Sequence, residues 1–205
     1  MKPGWERTAL GTVFATLTGT TPPKNDGGLY GHFMPFVKPP ELCDGALDSA
    51  EDGLSEAGAK IARKVPPNSI LVSCIGNLGK IGMAGLKRAM VSTEDLPCLL
   101  VQRTARIRGR SALDSRFVMY LIGCAEFTRH ILGVQTGIGV PHISGQQIKD
   151  FVFHRPDVTT QRQIAGQLDE LSAETERLAS IYEQKLAALD ELKKSLLHQA
   201  FSGEL

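Results

Sequence analysis

The sequence lacks the long apolar runs, the closely spaced cysteines and the apolar leader that define several classes of protein. No stretch of its 205 residues approaches the ~20 apolar residues that a membrane helix needs. The first residues, MKPGWERTALG, contain no apolar segment typical of a secretion signal. No cysteines lie at C-x-x-C spacing, which indicates reduced structural thiols; they are Cys43, Cys74, Cys98 and Cys124. These absences predict a cytoplasmic protein with no membrane partner.

Catalytic and metal-binding motifs are also missing. The segment GNLGKIG, residues 76–82, resembles a phosphate loop, but Lys80 is not followed by the Ser or Thr of a Walker motif. There is no H-E-x-x-H zinc motif and no N-P-P-Y type methyltransferase motif. Asp157 and the later Glu183 imitate a nuclease signature, yet Glu183 falls in a predicted long helix and cannot reach a metal beside Asp157. The sequence therefore predicts a binding protein that is not an enzyme and has no cofactor or metal.

Charge is divided unevenly along the chain. Residues 1–158 hold 18 Lys and Arg against 14 Asp and Glu, whereas residues 159–205 hold 5 against 8. A basic excess favours a site for a polyanion, although solvated basic residues are common and remain an alternative. The basic side chains cluster in three groups: Lys60, Arg63 and Lys64; Lys80, Lys87 and Arg88; Arg103, Arg106, Arg108 and Arg110.

Short elements of both types follow one another through residues 1–158. Apolar residues at helical spacing or in β-branched runs predict three helices and four strands. The helices are predicted at 10–17, 55–64 and 111–132, and the strands at 33–37, 68–76 and 97–107, with one more short strand within 146–156. Because strands and helices do not alternate regularly, the order predicts an α+β fold, a globular mixed α/β domain over residues 1–158.

The composition changes after this domain, and residues 159–205 are predicted to form one long C-terminal coiled-coil helix. Residues 161–201 contain one glycine and no proline. Positions in steps of four and three form a heptad seam that is apolar except at the polar Thr175 and Lys185; the positions are Ile164, Leu168, Leu171, Thr175, Leu178, Tyr182, Lys185, Leu189, Leu192 and Leu196. An exposed stripe of this length favours a partner, either a second such helix or another subunit. A helix folded back across its own domain is the alternative.

Two glycine-rich segments, residues 76–85 and 133–139, are candidates for contact with phosphates through their backbone N–H groups. Basic and amide side chains accompany them, and glutamine can pair with adenine through two hydrogen bonds. These side chains are Lys80, Lys87, Arg88, Gln135 and Thr136. Loops without any ligand are the simpler explanation of the same glycines.

Several motifs follow one another from the first residues to the last. They are GWERTALGTV and LTGTTPPK within 4–24, YGHFMPFVKPPEL at 30–42, PNSILVSCIGNLGKIGMA at 67–84, GVPHISGQQIKDFVFHRP at 139–156, and the terminal LKKSLLHQAFSGEL at 192–205. In this order and spacing the whole chain resembles one half of the DNA-specificity subunit of type I restriction-modification systems.

The resemblance implies separate functions for the two parts of the chain and for the subunits that bind it. Residues 1–158 would be a target-recognition domain that reads one half of a bipartite site in double-stranded DNA, and residues 159–205 a spacer helix that pairs antiparallel with a second one in a homodimer. Modification (methyltransferase) and restriction subunits docked on the chain would supply the catalysis. The expected DNA-facing residues are Lys24, Tyr30, Lys80, Lys87, Arg88, Gln135 and Thr136. The expected dimerisation residues are Leu168, Leu171, Leu178, Tyr182, Leu189, Leu192 and Leu196.

The chain departs from the family pattern in two respects. The family commonly has Glu-Gln before the long helix, where Thr160-Gln161 stands here. The usual subunit holds two recognition domains and two long helices, and this chain holds one of each. The chain is therefore expected to be either a naturally short half-subunit or a shortened one. Two other functions also stay open: a helical scaffold or regulator that does not bind DNA, and the recognition part of an enzyme whose catalytic domain lies elsewhere.

Overall fold

A computed structural model describes residues 4–43, 47–74, 98–100, 104–109, 115–134 and 142–203, and the backbone of 88–90. The chain divides into two compact units, Met1–Arg162 and Gln163–Leu205. Within the described residues the strands of the first unit form three sheets, and short helices accompany them. The second unit belongs to one long helix. The predicted α+β class with a long C-terminal helix is confirmed.

The first sheet joins the two ends of the first unit. Strand β1 (Glu6–Ala9) pairs antiparallel with the last strand, β10 (Val152–Arg155). The side chain of Arg155 donates to Glu6 Oε2 at 2.6 Å, and Leu10 N donates to Phe151 O at 2.8 Å. The short strand predicted within 146–156 is β10, and helix α5 (Gly145–Lys149), which Ser144 and Gln147 cap by exchanging hydrogen bonds, precedes it.

The second sheet has four antiparallel strands in the order β2-β9-β6-β7. These are β2 (Phe14–Thr18), β9 (Thr104–Gly109), β6 (Ile70–Ser73) and β7 (Arg88–Met90). The helix predicted at 10–17 is wrong after its first turn, since α1 spans only Leu10–Val13. In residues 14–18 Phe14 and Thr16 are buried and Leu17 is exposed, and the strand pairs with β9, about ninety positions away in sequence. Pairing with a distant strand overrides the local helical period.

The third sheet has the order β4-β3-β8-β5 and is mixed. Its strands are β3 (Tyr30–Val37), β4 (Gly53–Leu54), β5 (Arg63–Lys64) and β8 (Leu99–Leu100), and only β3 and β8 run parallel. The single strand predicted at 97–107 is divided between β8 and β9, which lie in different sheets. Leu71 of β6 and Leu100 of β8 share one buried cluster, so the two sheets pack on a common core.

Two helices occupy the region where one was predicted. Helix α3 (Ser115–Leu121) and helix α4 (Ala125–Val134) meet at a bend of 63°. Gly123 lies in the turn between them, and glycine is a poor helix former, which accounts for the break. Among the described helices none alone has the length and hydropathy to cross a bilayer, and only this bent pair meets both when joined.

The long helix, α6, spans Val158–Ser202, and Asp157 immediately precedes its first residue. The Thr160 amide donates to Asp157 Oδ1 at 3.0 Å, and the Thr160 hydroxyl donates to Oδ2 at 2.6 Å. These bonds lower the pKa of Asp157. Gln161 is buried, and its Nε2 donates to Pro156 O at 2.7 Å. Asp157, the residue that imitates a nuclease motif in the sequence, is therefore a helix cap.

Cysteine reactivity offers a test of this core. Cys43 is exposed, whereas Cys74 is buried, and burial raises the pKa of the Cys74 thiol to about 11. Since the thiolate is the reactive form, roughly one Cys74 in a thousand is ionised at pH 8. We expect iodoacetamide to label Cys43 in the native protein and Cys74 only after denaturation, as read by peptide mass spectrometry. Equal labelling rates at the two positions would show that the packing around β6 is wrong.

Candidate nucleic-acid interface

A row of polar side chains runs along one face of strand β9. Alternate residues of a strand point to the same side, so Thr104, Arg106 and Arg108 share this face. The neighbours of Arg106 across the sheet are Leu71, which is buried, and Leu17, which is exposed. Arg106 therefore lies at the border between the core and the solvent, and Arg108 lies beyond it, exposed.

Arg106 connects this row to the third sheet. Its Nη1 donates to the carbonyl oxygen of Lys64 in β5 at 3.3 Å, which places it close to Arg63 in the same strand. Partial burial lowers the pKa of Arg106, and the positive charges of Arg108 and Arg63 lower it further. The buried Nε of Arg106 has no hydrogen-bond partner within the described part of the chain. We call Arg63, Arg106 and Arg108 the arginine patch.

The charges of the arginine patch are not neutralised by the described residues. No ion pair of Arg63, Arg106 or Arg108 occurs among them, whereas other cations are paired. Lys38, for example, pairs with Asp52 and lies near Glu41, and the hydrogen bond to Asp52 is the main cause of its raised pKa. Three neighbouring guanidinium groups without a counter-charge repel one another, so a bound anion would relieve that repulsion.

The structure describes only some of the residues that the sequence predicts to face DNA. Lys24 is exposed in the turn before a 3-10 helix at Gly27–Leu29. The Tyr30 hydroxyl donates to Pro22 O at 2.8 Å, and its ring packs against the core cluster around Phe36, which gives Tyr30 a structural function. The backbone of Arg88 pairs with Val72 in the second sheet. The other predicted residues, Lys80, Lys87, Gln135 and Thr136, lie outside the described residues, and the DNA contacts of all seven stay predictions.

The arginine patch was not among the candidates drawn from the sequence, although its members appear there among the clustered basic residues. The signal was local: in the segment TARIRG, residues 104–109, the two arginines are two positions apart in a strand and must share a face. Nothing in the sequence indicates that Arg63, about forty positions earlier, joins them. That proximity depends on the contact between β5 and β9.

The long helix exposes its apolar stripe. The seam residues Leu171, Leu178, Tyr182, Leu189, Leu192 and Leu196 are exposed, and Leu168 is half-buried. At the two polar seam positions, Thr175 Oγ1 donates to Leu171 O at 2.8 Å and Lys185 Nζ lies 5.5 Å from the centre of the Tyr182 ring. The seam is thus an exposed apolar row on α6, which is unusual for the surface of a single chain in solution.

A metal centre finds no support in the described ranges. Across residues 4–43, 47–74 and 142–203 and the shorter described segments between them, no three His, Cys, Asp or Glu side chains group as metal ligands. The chemistry that the described surface presents is a basic patch on a sheet and an apolar seam on a helix.

The fold is shared with solved specificity subunits. The chain aligns over its full length with a chain from a structure of type I restriction-modification complex assembly and conformational transition, at a TM-score of 0.76 and 19% identity. It also aligns over its full length with the HsdS subunit from Thermoanaerobacter tengcongensis, at a TM-score of 0.66 and 20% identity. It covers 47% and 46% of those chains. The fold, a sheet-based domain followed by a long helix, is thus that of about half of each of these solved chains.

Sequence comparison identifies the family. The model of the type I restriction modification DNA specificity domain matches residues 2–184, and the chain belongs to that family. The specificity subunit of the type I restriction enzyme HindI from Haemophilus influenzae is 36% identical over 83 residues. That alignment covers 39% of this chain and 18% of the relative, so the chain matches only a minor part of this curated relative and about half of the two solved chains.

Proposed function

We propose that this chain recognises a DNA sequence as the specificity component of a type I restriction-modification complex. The family match across residues 2–184 carries the proposal. Residues 1–158 act as the target-recognition domain, and residues 159–205 act as the spacer helix. The chain has no catalysis of its own, works in the cytoplasm, and docks modification and restriction subunits that methylate and cut the DNA.

The arginine patch contributes affinity for the DNA backbone in this proposal. Arginine binds phosphate through charge and through paired hydrogen bonds, and the patch has three arginines that lack a counter-charge among the described residues. Phosphate contacts position a protein on the duplex but carry no base sequence. Lys24, Lys80, Lys87 and Arg88 add to this charge, while Gln135 and Thr136 are the candidates for contacts with base edges.

The apolar seam of α6 provides the second half of the proposal, a homodimer. Two copies that pair antiparallel through their helices bury both stripes and hold two recognition domains, one at each end. A twofold axis between identical readers favours an interrupted palindrome as the target, with each half-site read by one copy.

A salt titration tests the role of the arginine patch. We expect the wild type to bind a random fluorescent duplex at low salt, and the double variant Arg106→Gln/Arg108→Gln to bind more weakly. Each lost phosphate contact lowers the slope of log affinity against log salt by about 0.9, so the double variant should lose roughly two units of slope. Fluorescence anisotropy between low and moderate salt measures both slopes.

The control is Arg129→Gln, which removes an exposed arginine that pairs with Glu126 in α4. Its slope should equal that of the wild type. A double variant with an unchanged slope removes the patch from the interface. A wild type that fails to bind any duplex at low salt, yet self-associates, supports the scaffold alternative. Methylation-sensitive sequencing of DNA from cells that express the chain with its modification subunit then reports the target.

A further inference from the structure

The seam of α6 has the same order of apolar and polar residues when it is read from either end. Its ten positions run from Ile164 to Leu196, and the two polar ones, Thr175 and Lys185, lie five residues on either side of position 180. We infer that two copies of the chain pair antiparallel in one register, with the twofold axis at position 180 and Thr175 of each copy facing Lys185 of the other. This inference rests on the homodimer proposed above and specifies its geometry.

In this register every seam position has a partner of its own polarity. Residues face each other when their numbers sum to 360, because the axis at 180 maps each position onto its mirror. The facing pairs are Ile164 with Leu196, Leu168 with Leu192, Leu171 with Leu189, Thr175 with Lys185, and Leu178 with Tyr182. All ten positions are used, and each layer joins an a position to a d position, as antiparallel helix pairing requires.

Hydrogen bonding makes the two symmetry-related Thr175–Lys185 layers, together called the polar layer, complementary. The Thr175 hydroxyl donates its hydrogen bond to Leu171 O at 2.8 Å in its own helix, so its oxygen can still accept a hydrogen bond. The Lys185 ammonium has donors only. Its nitrogen lies over the Tyr182 ring of its own chain, 5.5 Å from the ring centre, which directs it along the seam instead of away from it. A donor on one copy therefore meets an acceptor on the other.

A register shifted by one heptad changes the sum of the numbers of two facing residues from 360 to 367 or 353. Both shifted registers lose the match in polarity. If the sum is 367, Lys185 faces Tyr182 and Thr175 faces Leu192, so the Thr175 hydroxyl oxygen loses its polar partner. If the sum is 353, Lys185 faces Leu168 and Thr175 faces Leu178, while Leu192 and Leu196 have no seam partner. Polar groups against apolar partners lose their hydrogen bonds with water without replacement. A single polar layer is a known means of fixing register in helix pairs.

Parallel pairing is disfavoured by the same residues. In a parallel pair each seam position faces itself, so two Lys185 ammonium groups would lie in one layer and repel each other. In the antiparallel register the flanking positions are compatible. Positions on one flank of the seam meet when their numbers sum to 362 and those on the other flank when they sum to 358, so Ile181 and Ala179 each meet their own copy and Glu174 meets Ala188. No like charges face each other.

The register has a functional consequence. A slip of one heptad changes the distance between the two helix starts by about 10.5 Å, since seven residues rise 1.5 Å each. That distance is close to three base pairs of B-DNA, at roughly 3.4 Å each. The polar layer thus selects one spacing between the two recognition domains, and with it one gap between half-sites.

Disulfide trapping tests the register on the full-length chain without DNA. Each protein carries Cys43→Ser, which removes an exposed native thiol. A Leu171→Cys chain is mixed in turn with a Leu189→Cys, a Leu196→Cys or a Tyr182→Cys chain, which report sums of 360, 367 and 353. A disulfide forms only when two Cα atoms lie within about 7 Å, so a register wrong by one heptad is too far apart. Peptide mass spectrometry identifies the linked positions.

We expect the 171–189 disulfide at a yield at least tenfold above the other two, as the axial offset of a heptad predicts. A dominant 171–196 or 171–182 disulfide overturns the register. No interchain disulfide in any mixture overturns pairing through the seam. Neither result touches the DNA proposal, because the salt titration at the arginine patch is measured separately.

A second variant isolates the polar layer. Thr175→Leu/Lys185→Leu makes the seam apolar throughout and keeps its heptad spacing. In this background we expect the dimer to persist while the preference for the 171–189 disulfide over the 171–196 disulfide falls below about threefold, since polar layers and not apolar ones specify register. An undiminished preference in the double variant would show that Thr175 and Lys185 do not select the register.

Discussion

Replacing Leu178 with aspartate should separate the proposed homodimer into single chains of 22.2 kDa. The substitution places a carboxylate in the apolar seam beside the twofold axis, and symmetry introduces it twice. Each buried, unpaired charge costs several kcal/mol, so the dimer dissociation constant should rise at least ~1000-fold. Size-exclusion chromatography with light scattering at micromolar concentration measures the mass of both proteins.

A second leucine in α6 provides the control for this experiment. Leu197 is 48% exposed and Leu178 is 42% exposed, so both tolerate a charge equally well in the isolated chain. Leu197 lies next to the seam position Leu196 but outside the seam itself. Leu197→Asp should therefore leave the dimer intact. If Leu178→Asp remains a dimer, or if the wild type is a monomer, α6 does not dimerise as proposed.

Replacing Gly58 with alanine should destabilise the first unit by about 3 kcal/mol, at the upper end of the cost of overpacking a core. A Cβ at this position of α2 (Glu56–Ile61) would lie 2.0 Å from the carbonyl oxygen of Leu29. That oxygen belongs to the backbone, and it accepts the Ser55 amide at 3.0 Å, so it cannot move aside freely. A fall of roughly 6–12 °C in the melting temperature is expected for a chain of this size.

The matched control is Gly166→Ala in α6, where no atom lies within 4 Å of the added Cβ. Alanine is a better helix former than glycine, so this variant should gain about 0.5–1 kcal/mol. Thermal unfolding followed by the fluorescence of Trp5, the single tryptophan, reports the first unit, and circular dichroism reports the helix. Gly58→Ala melting within 2 °C of the wild type, a margin well inside the expected shift, would contradict the close packing of α2 on Leu29.

The local sequence pattern correctly predicted those helices and strands whose type depends on residues close together in the sequence. Helix α6 was predicted almost to its ends, because a heptad repeat without proline supports only a helix over forty residues. The strands around Phe36 and Leu71 were also predicted, since short β-branched and apolar runs favour a buried strand. Ser55 caps α2 as its position before a helical pattern indicates.

The errors occurred where contacts distant in sequence decide the structure. Phe14 and Leu17 fit a helical period, yet they belong to a strand that pairs with β9. The helix predicted at 111–132 is two helices, because the turn at Gly123 allows the chain to bend and bury Phe117 and Phe127 separately. In each case the local pattern was ambiguous, and burial against the rest of the domain selected the outcome.

The candidate site also has features that the sequence predicts and features that only the tertiary structure creates. The sequence by itself determined the long helix, the polarity of its seam and the family to which the chain belongs, because these depend on the order of residues along one element or on motifs in fixed order. Only the tertiary structure brought Arg63 beside Arg106 and Arg108, since those residues lie on strands of two different sheets that meet at the Lys64 carbonyl. Charge placed far apart in sequence becomes a site only when strand pairing and a shared core bring it together.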